Sequence, residues 1–302
     1  MSADCKFRGY FTHRIDGTAC LADSVVIRRS LFDGITSTGS GGAIGIVGFS
    51  LSLSISDTGF CRCACVGSGY GGGVYGGVLE SGIARGCFDL CVCENGDNAL
   101  FIESQKAYPN AIDSSSILRC CDDGSSDGRS ALLGNGKLEQ SNTNYSHGCV
   151  GVENGVIRFS NSNSVISSFN LYTGMLCQKT EVVWESCSSG VELVSNVYAR
   201  NDGSRDGGFE FYDSVQTTVS LSLFVEENFQ TFSLFNKIKV QSSHFCANLF
   251  RIPGGGVQTD VSLKALSSPH AFICGKPPSS NFTLRIPHFR MLLISPVLFC
   301  HT

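Results

Sequence analysis

The sequence predicts an all-β chain, a parallel β-helix (β-solenoid) of about eight coils followed by a tail that does not repeat. Three observations predict it. The composition is that of many short strands joined by tight turns: 35 Gly, only 7 Pro and 42% hydrophobic residues including 21 Phe. Charged residues make up 16%, below the roughly 25% usual in soluble domains. The chain also repeats itself every 28 residues over its first third, and its apolar segments alternate with a period of two.

The repeat is read most clearly by aligning SVVIRRSLFDGIT from Ser24, LSLSISDTGFCRC from Leu51 and LESGIARGCFDLC from Leu79. Ile27, Ile55 and Ile83 are 28 apart, as are Phe32, Phe60 and Phe88, and Cys63 and Cys65 fall 28 before Cys91 and Cys93. The same grammar recurs more loosely at Val182/Cys187, Val219/Phe224 and Val240/Phe245. A second element, small residues leading into an apolar strand, follows each Phe: GGAIGI (Gly41), GGGVYG (Gly71) and DNALFI (Asp97). Fainter copies are SALL (Ser130), NGVIRF (Asn154), TGMLC (Thr173), GGFEF (Gly207) and TFSLF (Thr231). No segment keeps the 3.6-residue period over the length of a helix.

A repeat unit of this size, built of short strands and Gly/Ser/Asn turns, makes one coil of a solenoid. Coils stack at about 4.8 Å, so equivalent residues lie above one another and Ile27/Ile55/Ile83 and Phe32/Phe60/Phe88 form interior ladders. The stretch CRCAC followed by a glycine tract then has a structural explanation. Cys63 stacks on Cys91 and Cys65 on Cys93 as small apolar thiols. The glycines that follow let the backbone bend between strands. Boundaries follow: residues 1–20 as an N-terminal cap, 21–250 as the repeat domain, and 251–302 as a C-terminal cap or appended tail, rich in proline (IPGGG, KPPSS, RIPH).

The tetrapeptides GGAI (Gly41 to Ile44) and FCAN (Phe245 to Asn248) resemble the paired GGA(I/V/L) and FxxN motifs of polymorphic outer-membrane protein repeats. The Ser/Asn-rich, cysteine-sprinkled style is similar to the trichomonad protist branch of that family. The resemblance covers roughly residues 20–250 and implies a right-handed parallel β-helix, adhesin-like and non-enzymatic. The chain departs from the pattern where FxxN becomes FxxC or FxxI, which removes an inward Asn.

The chemistry expected of the chain is correspondingly sparse. C-x-C in a strand spreads thiolates along one face, whereas zinc sites bring C-x2–4-C pairs from turns. The acidic loops DDGSSDG (Asp122 to Gly128) and NDGSRDGG (Asn201 to Gly208) lack the EF-hand spacing and read as solvated turns rather than calcium sites. Parallel β-helices also include polysaccharide lyases and hydrolases, which need carboxylates clustered on an outer strand face. Outward positions here read as Ser, Thr and Gly, with Asp in the turns. The six histidines, His13, His147, His244, His270, His288 and His301, fall in no triad-like or H-x-x-x-H context. No catalytic, cofactor-binding or metal residue is therefore expected, and no cofactor.

The net charge of −4, with no basic block, gives no reason to expect nucleic acid. MSADCKFRGYFTHRIDG lacks the apolar core of a signal peptide. The most apolar run, Met291 to Phe299, is about half the length of a membrane helix. Sixteen cysteines in such a setting read as free thiols rather than a disulfide framework. The expected function is a rigid intracellular scaffold that binds other proteins, cytoplasmic or attached to the cytoskeleton or a flagellar axoneme. The alternatives are a cell-surface adhesin and, third, a polysaccharide lyase or hydrolase. Sequons at Asn144 and Asn281 matter only in the secretory path.

Overall fold

The computed structural model describes residues 4–260, apart from 17–22, 121–128, 147–148, 151–156, 178–182, 188–189, 200–201, 204–208, 213–216, 226–232, 235–237, 247–257 and the single positions 95, 175 and 242. Among the described residues there are strands and turns but no helix, and every strand pairing is parallel. The chain is a parallel β-solenoid.

One coil can be followed through Ile44–Cys61, a single long strand bent at corners. Ile44 and the residues after it lie on a first face and Ser52 to Ser56 on a second. Thr58 to Cys61 lie on a third, and the short strand Ala64–Cys65 lies on a minor face. The glycine tract then returns the chain to the first face at Val74, which pairs with Ile44.

On the second face the strands Asp4–Phe11, Ser24–Asp33, Ile44–Cys61, Val74–Asp89, Pro109–Asp113, Lys137–Ser141, Ser164–Ser168, Val191–Val194, Thr217–Ser220, Ile238–Gln241 and Gln258–Asp260 pair in unbroken succession. That makes eleven rungs, more than the eight coils expected. One of them, Asp4–Phe11, lies in the stretch expected to cap the rod. Another, Gln258–Asp260, lies beyond residue 250.

The two expected ladders are interior. Ile27, Ile55 and Ile83 pair in register and are fully buried, as are Phe32, Phe60 and Phe88. The rings Phe11–Phe32, Phe32–Phe60 and Phe60–Phe88 are stacked with centroids 4.8, 5.1 and 4.7 Å apart, at the inter-strand spacing. The phenyl column continues through Ile117 into Tyr145, Tyr172 and Tyr198, whose rings stack at 5.1 and 4.8 Å.

The looser repeats need correction in one coil. Val182 lies outside the described residues, and Cys187 is on the first face, paired with Ser162. The ladder positions there are Leu193 and Tyr198. Likewise Leu176–Cys177, within TGMLC, belongs to the minor face, and Val183–Cys187 supplies the first-face strand. The cause is chemical substitution: Tyr stands for Phe, and Gln140 and Ser167 stand for Ile, so an aliphatic–Phe search locks onto the wrong strand.

The corner between the second and third faces is made in an unexpected way. Arg29, Asp57, Arg85, Ser114, Asn142, Phe169, Ser195 and Leu221, one per coil, take positive φ of 48° to 58°. Each costs on the order of 1–2 kcal/mol relative to glycine. The next residue offsets this. Thr58, Ser115, Thr143 and Ser222 each donate a hydroxyl hydrogen bond to the carbonyl two residues back, at 2.8 to 3.0 Å. These corner side chains also accept backbone N–H bonds from the coil before. Ser115 Oγ accepts from Gly86, Asn170 Oδ1 from Thr143, Asn196 Oδ1 from Asn170, and Ser222 Oγ from Asn196. The corner thereby satisfies its backbone groups without water.

Candidate functional site

The thiols are part of the wall. Cys63, Cys65, Cys91 and Cys93 are buried thiols, and Cys65 pairs with Cys93 in register. Cys63 Sγ lies 3.6 Å from the Phe32 carbonyl oxygen, and Cys91 Sγ donates to that of Phe60 at 3.3 Å. The neighbouring Cys91 thiol and burial together push the Cys63 thiol far above its ordinary range, and burial does the same to Cys91. Such thiols are poor nucleophiles. Cys65 is shifted the other way, lowered by a hydrogen bond from Cys93. Cys5 stands apart from the buried thiols Cys61, Cys63, Cys65, Cys87, Cys91, Cys93 and Cys120: it is disulfide-bonded, against the expectation of free thiols.

GGAI has a steric reason. Gly41 has φ of 78°, and a Cβ there or on Gly42 would run into backbone of the adjoining turn or coil. Of FCAN, Phe245 and Cys246 lie in the strand His244–Cys246, and the rest lies outside the described residues. So does DDGSSDG. Of NDGSRDGG only Asp202–Gly203 is described, as a minor-face strand. Among the described residues no three His, Cys, Asp or Glu side chains are grouped so as to hold a metal ion.

The carboxylates at the corners are spoken for. Arg62 chelates Asp33 on the coil before, Arg85 reaches Asp57 at 2.6 and 3.0 Å, and Arg119 holds Asp89. The hydrogen bond from Arg85 keeps Asp57 below its ordinary range. Burial acts to raise Asp113, but hydrogen bonds from Ser141, Asn142 and Ser114 outweigh it and hold the carboxyl low. A buried pair, Arg129 with Asp97 at 2.6 Å, takes over the corner where Gly41 and Gly71 sat in earlier coils. Burial raises Asp97 despite that partner. These carboxylates fasten one coil to another.

One stretch of the remaining surface is apolar. On the outer side of the first face, Gly45, Tyr75, Phe101 and Leu132 form one row in register, and Val47, Gly77, Glu103 and Gly134 form the next. Tyr75 stacks on Phe101 with centroids 5.2 Å apart, and Tyr70 leans on the same Phe101 ring at 5.2 Å. Phe49 packs over the buried Gly77; its ring would sit 3.6 Å from a Cβ there. Val47 is 66% exposed, Phe49 54% and Tyr70 40%. Burial pushes the Glu103 carboxyl up, and the charge of Asp97 adds to the shift.

Sequence reasoning had placed Ser, Thr and Gly on outward positions and missed this strip. The signal was present: in VYGG and LFIE, strict alternation with Val74 and Leu100 inward sends Tyr75 and Phe101 outward.

We find no protein family, no curated protein and no solved structure that matches the chain.

Proposed function

We propose that the chain is a non-catalytic, rigid scaffold of the cell interior that holds other proteins along its outer surface. One observation carries the reading: the strip of Val47, Phe49, Tyr70, Tyr75 and Phe101 is left uncovered on a rod whose corner carboxylates are tied in ion pairs and hydrogen bonds. Contiguous exposed apolar surface marks interaction sites, and aromatic residues are enriched in them.

The test is proximity labelling with the full chain in its native cells. Partners captured by the unaltered chain should be lost on Phe49→Asp and Tyr75→Asp and kept on Leu221→Asp, an exposed apolar residue far from the strip. Equal capture by all three, or depolymerisation of an acidic polysaccharide by the purified protein, would overturn the reading. A second reading, an adhesin at the cell surface, is favoured by the Cys5 disulfide alone, since such bonds persist in oxidising compartments.

A further inference from the structure

Residues 261–302, which lie outside the described residues, have a composition unlike the rest. They carry Lys264, Lys276, Arg285 and Arg290 and no Asp or Glu. Of the chain's 22 Lys and Arg and 26 Asp and Glu, residues 1–260 thus hold 22 − 4 = 18 cations and all 26 carboxylates, a net charge of −8 against +4 for the tail. The tail also contains the most apolar run in the protein, MLLISPVLF from Met291 to Phe299, immediately after Arg290.

The outer strip of the first face has the complementary features. The Tyr75–Phe101 ring pair forms one row, Phe49 packs over Gly77 in the row beside it, and Glu103 is the next residue along that second row. That carboxylate is already partly buried, which is why it is raised. An extended segment laid across the strip would bind through side chains, because the backbone of each strand there is already bonded to its neighbours. Pro296 therefore forfeits no ladder hydrogen bond.

The distance is short enough. Gln258–Asp260 lies eight rungs along the second face from Ile44–Cys61, on the order of 40 Å at the inter-strand spacing. Residues 261–289 can span up to roughly 95 Å when extended.

We propose that Arg290–Phe299 docks on this outer strip of its own chain, with its apolar side chains over Phe49, Tyr70, Tyr75 and Phe101 and Arg290 beside Glu103. The inference rests on reading the strip as a docking surface, and it makes the tail a built-in competitor for any outside partner. Binding of such a partner then requires the tail to leave, so the free surface is offered only to ligands that outbid a tethered one.

The experiment places the photoreactive residue benzoylphenylalanine at Phe49 or Tyr70 of the full chain, with a control at Leu221, and irradiates dilute protein. Mass spectrometry of the digest should find both strip probes joined to peptides of residues 285–299 in a product of monomer size, with no such product from Leu221. Arg290→Glu and Glu103→Lys should each lower the yield about three- to fivefold, the effect of a partly exposed ion pair, and the two together should restore it. Products of dimer size, adducts only to other segments, no adduct from either probe, or yields indifferent to the charge changes would overturn the proposal. Loss of outside partners on Phe49→Asp with no tail adduct would leave the scaffold reading standing and sink this one. Tail adducts in a protein that captures no partner would do the reverse.

Discussion

The coils from Ile27 to Ile117 and those from Gln140 to Ser222 share one backbone and differ in what fills it. In the first region the interior columns are Ile27, Ile55, Ile83 and Ile112 beside Phe32, Phe60, Phe88 and Ile117, with thiols on the minor side. In the second the same positions hold Gln140, Ser167 and Leu193 beside Tyr145, Tyr172 and Tyr198. Asn170 and Asn196 stand at the corner. The ring spacing does not change: 4.7 to 5.1 Å in one, 4.8 to 5.1 Å in the other. The ladder of backbone hydrogen bonds therefore sets the geometry, and the side chains only decide how it is stabilised.

The apolar region relies on burial and ring stacking. The polar region relies on a side-chain network. Gln140 Nε2 donates to Tyr172 Oη at 3.1 Å and Asn170 Nδ2 to Ser167 Oγ at 3.0 Å, while Asn196 Nδ2 donates to the Ser167 carbonyl at 2.9 Å. Such networks stabilise when complete and cost heavily when one member is removed. This one is not complete within the protein: Gln140 Oε1 and the Tyr145 hydroxyl are buried with no hydrogen-bond partner.

The difference can be broken most forcefully in the apolar region. Phe60→Ala removes a ring stacked on both sides and should cost about 3–5 kcal/mol in denaturant unfolding; a loss below about 1 kcal/mol would show that stacking there is incidental. Asn170→Leu in the polar region keeps the branched shape and heavy-atom count but orphans the Thr143 N–H. It should cost about 1–3 kcal/mol, and a neutral result would mean the network is ornamental.

Two tyrosines sharpen the contrast within the polar region. Tyr172→Phe loses the bond from Gln140 and should cost about 1 kcal/mol. Tyr145→Phe removes a hydroxyl with no protein partner and should be neutral or slightly stabilising by the same thermal-melt comparison. The smallest effect is expected in acid. Asp57 and Asp113 have folded-state acidities shifted low, so their contribution is present above the ordinary carboxylate range and fades as pH falls through the lowered values. Asp57→Asn should lower stability slightly at neutral pH, where the charged carboxyl contributes, and match the unaltered protein in acid, so that the acid limb of the stability curve flattens.

Much of the first region was legible because its code is redundant. Three Ile and three Phe at one spacing, with two Cys pairs behind them, leave little choice of register. The second region hid its register because Gln140, Ser167 and Tyr172 do the work of Ile and Phe through hydrogen bonds that no hydropathy pattern carries. The corners were hidden for a related reason. Arg29, Asp57 and Phe169 give no composition signal for positive φ; what makes them tolerable is a hydroxyl or amide one residue later, on Ser30, Thr58 and Asn170, which reads in isolation as an ordinary polar position. The exposed strip failed differently. Its aromatic residues were visible, but Tyr75 and Phe101 were counted as strand formers before the alternation was used to ask which way they pointed.

Among the described residues the backbone of each rung is bonded to the rung before and the rung after, and no backbone bond joins the first coils to the last. A nascent chain can therefore lay down one turn as soon as about thirty residues have emerged, using the previous turn as its template. Assembly then runs in the direction of synthesis, with a single growing edge at any moment. The sequence order of the two interiors gains a kinetic meaning from this. The greasy coils, which need no partner-perfect bonding to hold together, come first and present a finished template. The coils that depend on correctly paired amides and hydroxyls are added later, each against a surface already fixed.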